Sequence, residues 1–155
     1  MAKFAIGNDM GGVQQSVSGT YKTLIAGWAV TAALKRQKVY DILIGTNGTP
    51  ADNFMEFDLS RQTADGIATA VTPTPLDPAD GAMSGSANAN YTAEGTITAA
   101  SSMFYIGMNQ RASYRWVAAP GSEIVTPATN LAGWALRARS GGYTGTATAK
   151  VLVEE

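Results

Sequence analysis

The chain contains no cysteine and no histidine. Without cysteine there is no disulfide scaffold and no thiol nucleophile, and without histidine the commonest general base and metal ligand is missing. A Ser-His-Asp arrangement is therefore excluded, and the sequence holds neither the G-x-S-x-G pattern nor the phosphate-binding G-x-x-x-x-G-K-[ST] pattern. These absences point away from catalysis and towards a protein that acts through its surface.

Charge is also scarce. Charged residues make up 15% of the chain, with 11 basic and 12 acidic side chains, against about 25% in typical domains. Either neighbouring molecules cover much of the surface, or alanine, threonine, serine and glycine fill the exposed positions. Nucleic-acid binding usually requires a basic stripe. The densest basic run, residues 35–38 (KRQK), is typical of a hairpin turn or a protected strand edge, so no nucleic-acid partner is expected.

Long apolar runs are missing as well. The longest, residues 24–34, is interrupted by Gly27 and Thr31 and is about half the length of a membrane-spanning helix. The N-terminus shows no charged stretch followed by an apolar run, so we expect no secretory signal and no membrane partner. The expectation is a soluble protein made in the cytoplasm.

What the sequence does contain is a series of short apolar runs split by glycine, proline and asparagine. Its 155 residues and 45% hydrophobic content fit one domain, residues 1–155, with a core of its own. The runs predict roughly eight to ten strands, with no helices alternating between them. The predicted fold is all-β, an antiparallel two-sheet sandwich with a jelly-roll-like arrangement.

Alternation predicts which side chains face the core. In residues 53–63, Met55, Phe57 and Leu59 share one face, whereas Glu56 and Asp58 share the other, which is expected to be wet. In residues 38–45, the same rule groups Val39 with Asp41 and Leu43, opposite Tyr40, Ile42 and Ile44. Residues 21–34 are predicted as a strand that could end in a helical turn, because Gly27 argues against a helix interior.

Two stretches read as irregular. Residues 8–12 (NDMGG) predict a turn, and residues 13–20 could form an extended arm, so that 1–20 is a candidate arm. Residues 72–88 contain Pro73, Pro75 and Pro78, which exclude a central strand. This Pro-rich stretch is predicted to be either a long surface loop or an arm lying on a neighbour.

Few side chains are candidates for chemistry. Glu56 and Asp58 lie about 7 Å apart along a strand, a spacing compatible with glycoside hydrolysis, but a solvated strand face near Arg61 is the favoured interpretation. Asp77 and Asp80 could offer oxygen ligands to Ca²⁺, yet the EF-hand spacing is absent and a capped turn is favoured. We expect no catalytic residues, no metal and no cofactor.

Aromatic side chains allow two interpretations. They could build a sugar-binding platform, or they could anchor the core and interfaces. Because they sit within apolar strands, the core is favoured. The residues concerned are Trp28, Trp116, Trp134, Tyr91, Tyr105, Tyr114 and Tyr143.

Several stretches together resemble a family of tailed-bacteriophage virion structural proteins. They span nearly the whole chain, and the most specific is residues 109–123 (NQRASYRWVAAPGSE). The others are residues 38–41 (KVYD), 45–53 (GTNGTPADN), 76–80 (LDPAD), 136–140 (LRARS), 143–146 (YTGT) and the end at 154–155.

The resemblance implies a small capsid decoration or cement protein. Its expected partners are the major capsid protein and further copies of itself, as a homotrimer on the capsid exterior of the virion. It would stabilise the head without any reactive group, through many modest contacts. Two alternatives stay open: a structural module of the tail, neck or fibre, and a carbohydrate-binding module on the virion surface.

The candidate contact segments are residues 2–20 and the Pro-rich stretch. Arginines are expected to pair with carboxylates across a subunit interface, where arginine is enriched. The candidate interface residues are Arg111, Arg115, Trp116, Arg137, Arg139, Pro73, Pro75, Asp77 and Pro78.

Overall fold

The computed structural model describes residues 1–12 and 14–155 and contains two antiparallel sheets. A short 3₁₀ helix at Asn8–Gly11 follows the first strand. The strands are β1 (Lys3–Gly7), β2 (Gln15–Val17), β3 (Lys22–Trp28), β4 (Lys38–Asn47), β5 (Phe54–Ala64), β6 (Ile67–Val71), β7 (Thr74–Pro75), β8 (Ser86–Ala93), β9 (Thr96–Asn109), β10 (Tyr114–Val117), β11 (Ile124–Val125), β12 (Gly133–Ser140) and β13 (Gly145–Glu154).

The chain crosses repeatedly between the two sheets. Sheet A has the order β10-β4-β13-β1-β7, with β11 also on β4 and β2 also on β13; sheet B has the order β6-β8-β3-β12-β5-β9. The sheets pack face to face around one main core. The predicted all-β two-sheet sandwich is therefore confirmed.

Period-two alternation correctly identifies the inner face of the central strands. On β5, Met55, Phe57 and Leu59 are all fully buried, as predicted. On β13, the alternate residues Val151 and Val153 are equally buried. The inward-facing side chains of the two sheets pack together in one apolar layer. Burial of their apolar surface is the main favourable contribution to folding.

Two details of the predicted alternation are wrong. Val39 is buried in the core with Ile42, because the register between β4 and β13 shifts at Val39 and Asp41. Such a bulge moves the following side chains to the opposite face. The outer face of β5 is not wet either: Asp58 and Ser60 are only 3% and 2% exposed.

The long apolar stretch forms β3 and then turns, with isolated bridges at Ala29, Val30 and Ala33 in place of a helical turn. Gly27 is required at its position by close packing. A Cβ there would lie 2.8 Å from both Gln37 Oε1 and Trp134 Cζ2. The glycine thus allows the Trp134 ring to lie flat against the strand.

The N-terminal segment belongs to sheet A and is not a free arm. β1 pairs with β13 from Lys3 to Gly7, and β2 pairs with β13 through Gln15, Ser16 and Val17. The predicted turn at 8–12 is the 3₁₀ helix, which ends at Gly11 and is followed by the capping residue Gly12 with a φ of 83°. Val13, part of the expected arm, lies outside the described residues.

Candidate interface surfaces

Two of the candidate arginines project from the outer face of sheet B. Arg137 and Arg139 lie two residues apart on β12, so they point the same way. The β12–β5 register sets them opposite Asp58 and Glu56 respectively. The arginine–carboxylate pairs therefore form within one chain, across neighbouring strands.

Asp58 is the centre of the deeper pair. Arg137 Nη2 lies 2.5 Å from Asp58 Oδ2, with only 19% and 5% of the two side chains exposed. Ser60 donates a hydrogen bond to Asp58 Oδ2 at 2.6 Å, and Ser102 donates one to Oδ1 at 2.5 Å. A buried carboxylate with this many donors is satisfied without any external partner.

The second pair lies closer to solvent. Arg139 Nε donates to Glu56 Oε2, and the Tyr105 hydroxyl donates to Glu56 Oε1 at 2.8 Å. Both guanidinium groups lie over the Tyr21 ring, with Arg137 Cζ at 4.7 Å and Arg139 Cζ at 4.9 Å from its centroid. Tyr21, which sequence reasoning did not single out, thus holds the two arginines side by side.

These contacts involve Glu56 and Asp58, the two carboxylates considered for catalysis. The hydrogen bond from Arg139, followed by that from Tyr105, lowers the pKa of Glu56. A general acid must instead carry a proton near neutral pH. The contacts of Glu56 and Asp58 therefore fit a structural role on the sheet.

The other two arginines lie beside sheet A. Arg115 on the edge strand β10 contacts Asp41 through Nε at 3.0 Å and Nη2 at 2.5 Å. The Asp41 side chain is 3% exposed, whereas 60% of Arg115 faces solvent. Arg111, in the loop after β9, pairs with Asp52 at 3.0 Å, and both side chains are largely exposed.

Arg111 and Arg115 both line a groove on the outer face of sheet A. The groove has a volume of about 800 Å³ and is open to solvent. Its floor comes from β4 and β13, including Leu43, Gly45 and Thr148, and one wall is the loop from Gln110 to Ser113. Lys150 on β13 adds a further exposed cation to its lining.

Gln110 fixes the groove wall. Its backbone N–H donates to the Asn53 carbonyl at 2.8 Å, and its side-chain Oε1 accepts from the Ala51 N–H at 3.1 Å. Thr46 Oγ1 donates to the Gln110 carbonyl at 2.5 Å. This buried glutamine therefore joins the loop 48–53 to the loop 110–113, a function that nothing in the local sequence indicates.

Trp116 is half-buried at the open side of the sandwich. Its ring centroid lies 6.1 Å from that of Phe104 on β9, and Phe104 in turn stacks on Tyr114 at 6.2 Å. The other aromatic candidates divide: Trp28, Trp134 and Tyr91 are buried, whereas Tyr105 is 57% and Tyr114 40% exposed. The preference for the core is thus right for part of the set.

The Pro-rich stretch packs on its own chain. The prediction that it contains no central strand is wrong at its end, because β8 begins at Ser86, after the last proline, and lies between β6 and β3. Pro73 is buried, and Pro75 lies in β7 opposite Phe4 of β1. Asp77 Oδ1 accepts from the Ala79 N–H at 2.9 Å, which is the predicted capped turn, and Pro78 is exposed. Further on, the Ser84 and Gly85 N–H groups donate to the Glu155 carboxylate at 2.6 Å and 2.9 Å.

Among residues 1–12 and 14–155, no three acidic side chains come together in a way that could hold a metal ion. In the same part of the chain, no helix has the length and apolar character needed to cross a membrane.

No model of a known protein family matches this chain, and no curated protein is significantly similar to it. The family resemblance of the motifs consequently stays a prediction.

Proposed function

We propose that this protein is a non-enzymatic structural component of a phage virion, and specifically a decoration or cement protein. Its partner would be the major capsid protein, bound on the outside of the head. The protein would stabilise that lattice by bridging neighbouring subunits. Its action would come from buried contact area and multivalency.

One observation carries the proposal. The stretch with the most specific resemblance to virion proteins, residues 109–123, meets a second resembling stretch, residues 45–53, at the groove on sheet A. Their polar side chains are engaged in fixing its wall: Gln110 links the two loops, and Arg111 pairs with Asp52. Motifs that build a shaped surface, with no reactive group among them, fit a protein that binds another protein.

The groove also has the right character for a modest contact repeated many times. Arg111 and Arg115 present guanidinium groups whose charge Asp52 and Asp41 already balance. Leu43 adds a partly exposed apolar side chain. Such a surface can bury area and form hydrogen bonds while the charges of these two arginines stay paired.

The test is binding of the purified protein to capsids that lack it, with the native mass measured in parallel. We expect saturable binding at a copy number that matches the lattice symmetry. Leu43→Asp, which puts a charge in the groove, should weaken binding at least about tenfold. Ile67→Asp is the matched control, because Ile67 is 68% exposed on β6 of the other sheet.

Three results would overturn the proposal. Absence of capsid binding by a folded protein would redirect the search to the tail, neck or fibre. Affinity for a sugar that disappears in Tyr105→Ala would favour a carbohydrate-binding module. Turnover of a glycoside that depends on Glu56 would favour an enzyme.

A further inference from the structure

Strand β9 forms an edge of sheet B. Register shifts against β5 and a positive φ at Ala100 interrupt its first half, whereas its regular part, from Phe104 to Asn109, lacks the usual protection. Its 14 residues, from Thr96 to Asn109, include no charged residue and no proline. It pairs with β5 on one side, and no strand of the described residues pairs with its other side. Natural sheets generally protect such edges with charges, prolines or very short strands, because a free edge pairs readily with another chain.

The other edges of this molecule follow that rule. β10 has four residues and includes Arg115, and β7 has two residues, one of them Pro75. β6 has five residues, and a bulge between Ile67 and Thr69 interrupts its pairing with β8. Only β9, among the described edge strands, combines length with an uncharged sequence.

The ladder shows which main-chain groups of β9 are free. The Gln110 N–H donates to the Asn53 carbonyl at 2.8 Å. In an antiparallel ladder, residues alternate between pointing their N–H and C=O groups at the partner strand and away from it. Continuing from Gln110 along the regular register, Tyr105 and Gly107 point theirs away from β5.

Both faces of β9 carry apolar surface that the chain only partly covers. Phe104, Ile106 and Met108 face the sandwich interior and are only partly buried against the core. On the outer face, Tyr105 is 57% exposed. A further strand along this edge would therefore bury apolar groups as well as satisfy main-chain hydrogen bonds.

We propose that the occupant of this edge is a second copy of the same chain, paired antiparallel along β9 about a twofold axis at Ile106. In that register, Tyr105 of one copy lies across from Gly107 of the other, and Phe104 lies across from Met108. An aromatic ring next to a glycine on the neighbouring strand is a favourable cross-strand pair.

Charge supports self-pairing over a generic partner. Because residues 96–110 contain no charged side chain, two copies of the edge meet without like-charge repulsion. A twofold interface also requires a self-complementary patch, and the sequence around Ile106 provides one. The resulting dimer joins sheet B of both copies into one continuous sheet.

Gly107→Pro tests this pairing selectively. Its N–H points away from β5, so proline removes a donor from the free edge and none from the intramolecular ladder. A Cβ at Gly107 would meet only Glu56 Cγ, at 4.0 Å, so the position has room. Gly107→Ala is the matched control, because it adds a side chain and keeps the N–H.

We expect a dimer for the wild type and for Gly107→Ala in sedimentation or native mass spectrometry. Gly107→Pro should weaken dimerisation at least about tenfold, with an unchanged circular dichroism spectrum. A wild type that is monomeric at high micromolar concentration would overturn the proposal, as would the trimer implied by the family resemblance or a dimer that Gly107→Pro leaves intact.

Should Gly107→Pro fail to fold, amide hydrogen exchange of the wild type decides the question. The Tyr105 and Gly107 amides should become protected as the concentration rises through the dimerisation range. Amides that exchange equally fast in dimer and monomer would exclude β9 as the interface. Capsid binding is measured separately, so failure of the dimer and failure of the proposed function remain distinct results.

Discussion

The arginines on the two sides of the sandwich differ in how far their charged groups reach solvent. On sheet B, Arg137 is 19% exposed and lies against a carboxylate that is 5% exposed. Beside sheet A, Arg111 is 59% exposed and its partner Asp52 is 74% exposed. Both pairs have short contacts, yet only the first removes two charges from water.

This difference separates candidates that the sequence treats alike. Arg137 and Arg139 are engaged with carboxylates and with the Tyr21 ring, and their side chains are 19% and 42% exposed, less than either arginine beside sheet A. Arg115 and Arg111 keep most of their guanidinium surface exposed while pairing with an acid. The interface candidates on sheet A are therefore better placed for contact, and those on sheet B for stability.

The largest effect should come from Arg137→Met. The substitution keeps an unbranched side chain but leaves the Asp58 carboxylate buried without its cation, which typically costs about 3 kcal/mol of unfolding free energy. Urea denaturation measures the loss. In the double variant with Asp58→Asn, much of the stability should return because the uncompensated charge is gone. A single variant as stable as the wild type would contradict the role given to this pair.

Arg115→Ala should destabilise the protein less. It also leaves a buried carboxylate without its cation, since the Asp41 side chain is 3% exposed. However, the arginine head faces solvent at an edge strand, so water can take its place. We expect a lower urea midpoint with an unchanged slope, and an intermediate midpoint for Arg115→Lys, which keeps the charge but not the two-pronged contact. A midpoint below that of Arg137→Met would reverse the ranking.

The local parts of the fold were predictable from the sequence. Period-two alternation identified Met55, Phe57 and Leu59 as core because a strand's two faces are set by adjacent residues. The bulge that brings Val39 into the core was not predictable in this way. It depends on the register against β13, which lies more than a hundred residues away in sequence.

The candidate interface was predictable only by residue type. The sequence singled out Arg111, Arg115, Arg137 and Arg139, but placed their carboxylates on a neighbouring molecule. In the fold, the partners belong to the same chain at separations of 59, 74, 79 and 83 residues respectively. No local pattern reports such pairings, and none marks Gln110 as the residue that joins two loops.

The unfolding free energy at acid pH should report on the more exposed pair of sheet B, Glu56 with Arg139. The contact with Arg139 lowers the pKa of Glu56 in the folded protein. Its contribution to stability is therefore fully present above the pKa of an unfolded glutamate, about 4.3, and is lost as the pH falls through the lowered folded value. Unfolding free energies measured from neutral pH to below this range should decrease more for the wild type than for Glu56→Gln.

Arg139→Gln should also reduce the acid dependence, because it removes the group that contributes most to the lowered pKa of Glu56. Equal acid dependence in the wild type and both variants would show that the pair does not distinguish the folded from the unfolded state. In that case only the pair of Arg137 with Asp58 would distinguish sheet B from sheet A in the contribution of ion pairs to stability.

The smallest effect on stability should come from Arg111→Ala. Both members of its pair are exposed, so the loss should be about 0.5 kcal/mol or less and should shrink further in high salt. Urea denaturation at two salt concentrations measures this loss of unfolding free energy.

If the groove on sheet A faces the capsid, the same variant should bind capsids more weakly at nearly unchanged stability, whereas Arg139→Gln should bind normally. A stability loss as large as that of Arg137→Met would mean that exposure does not separate the two sides, and the contrast would fail.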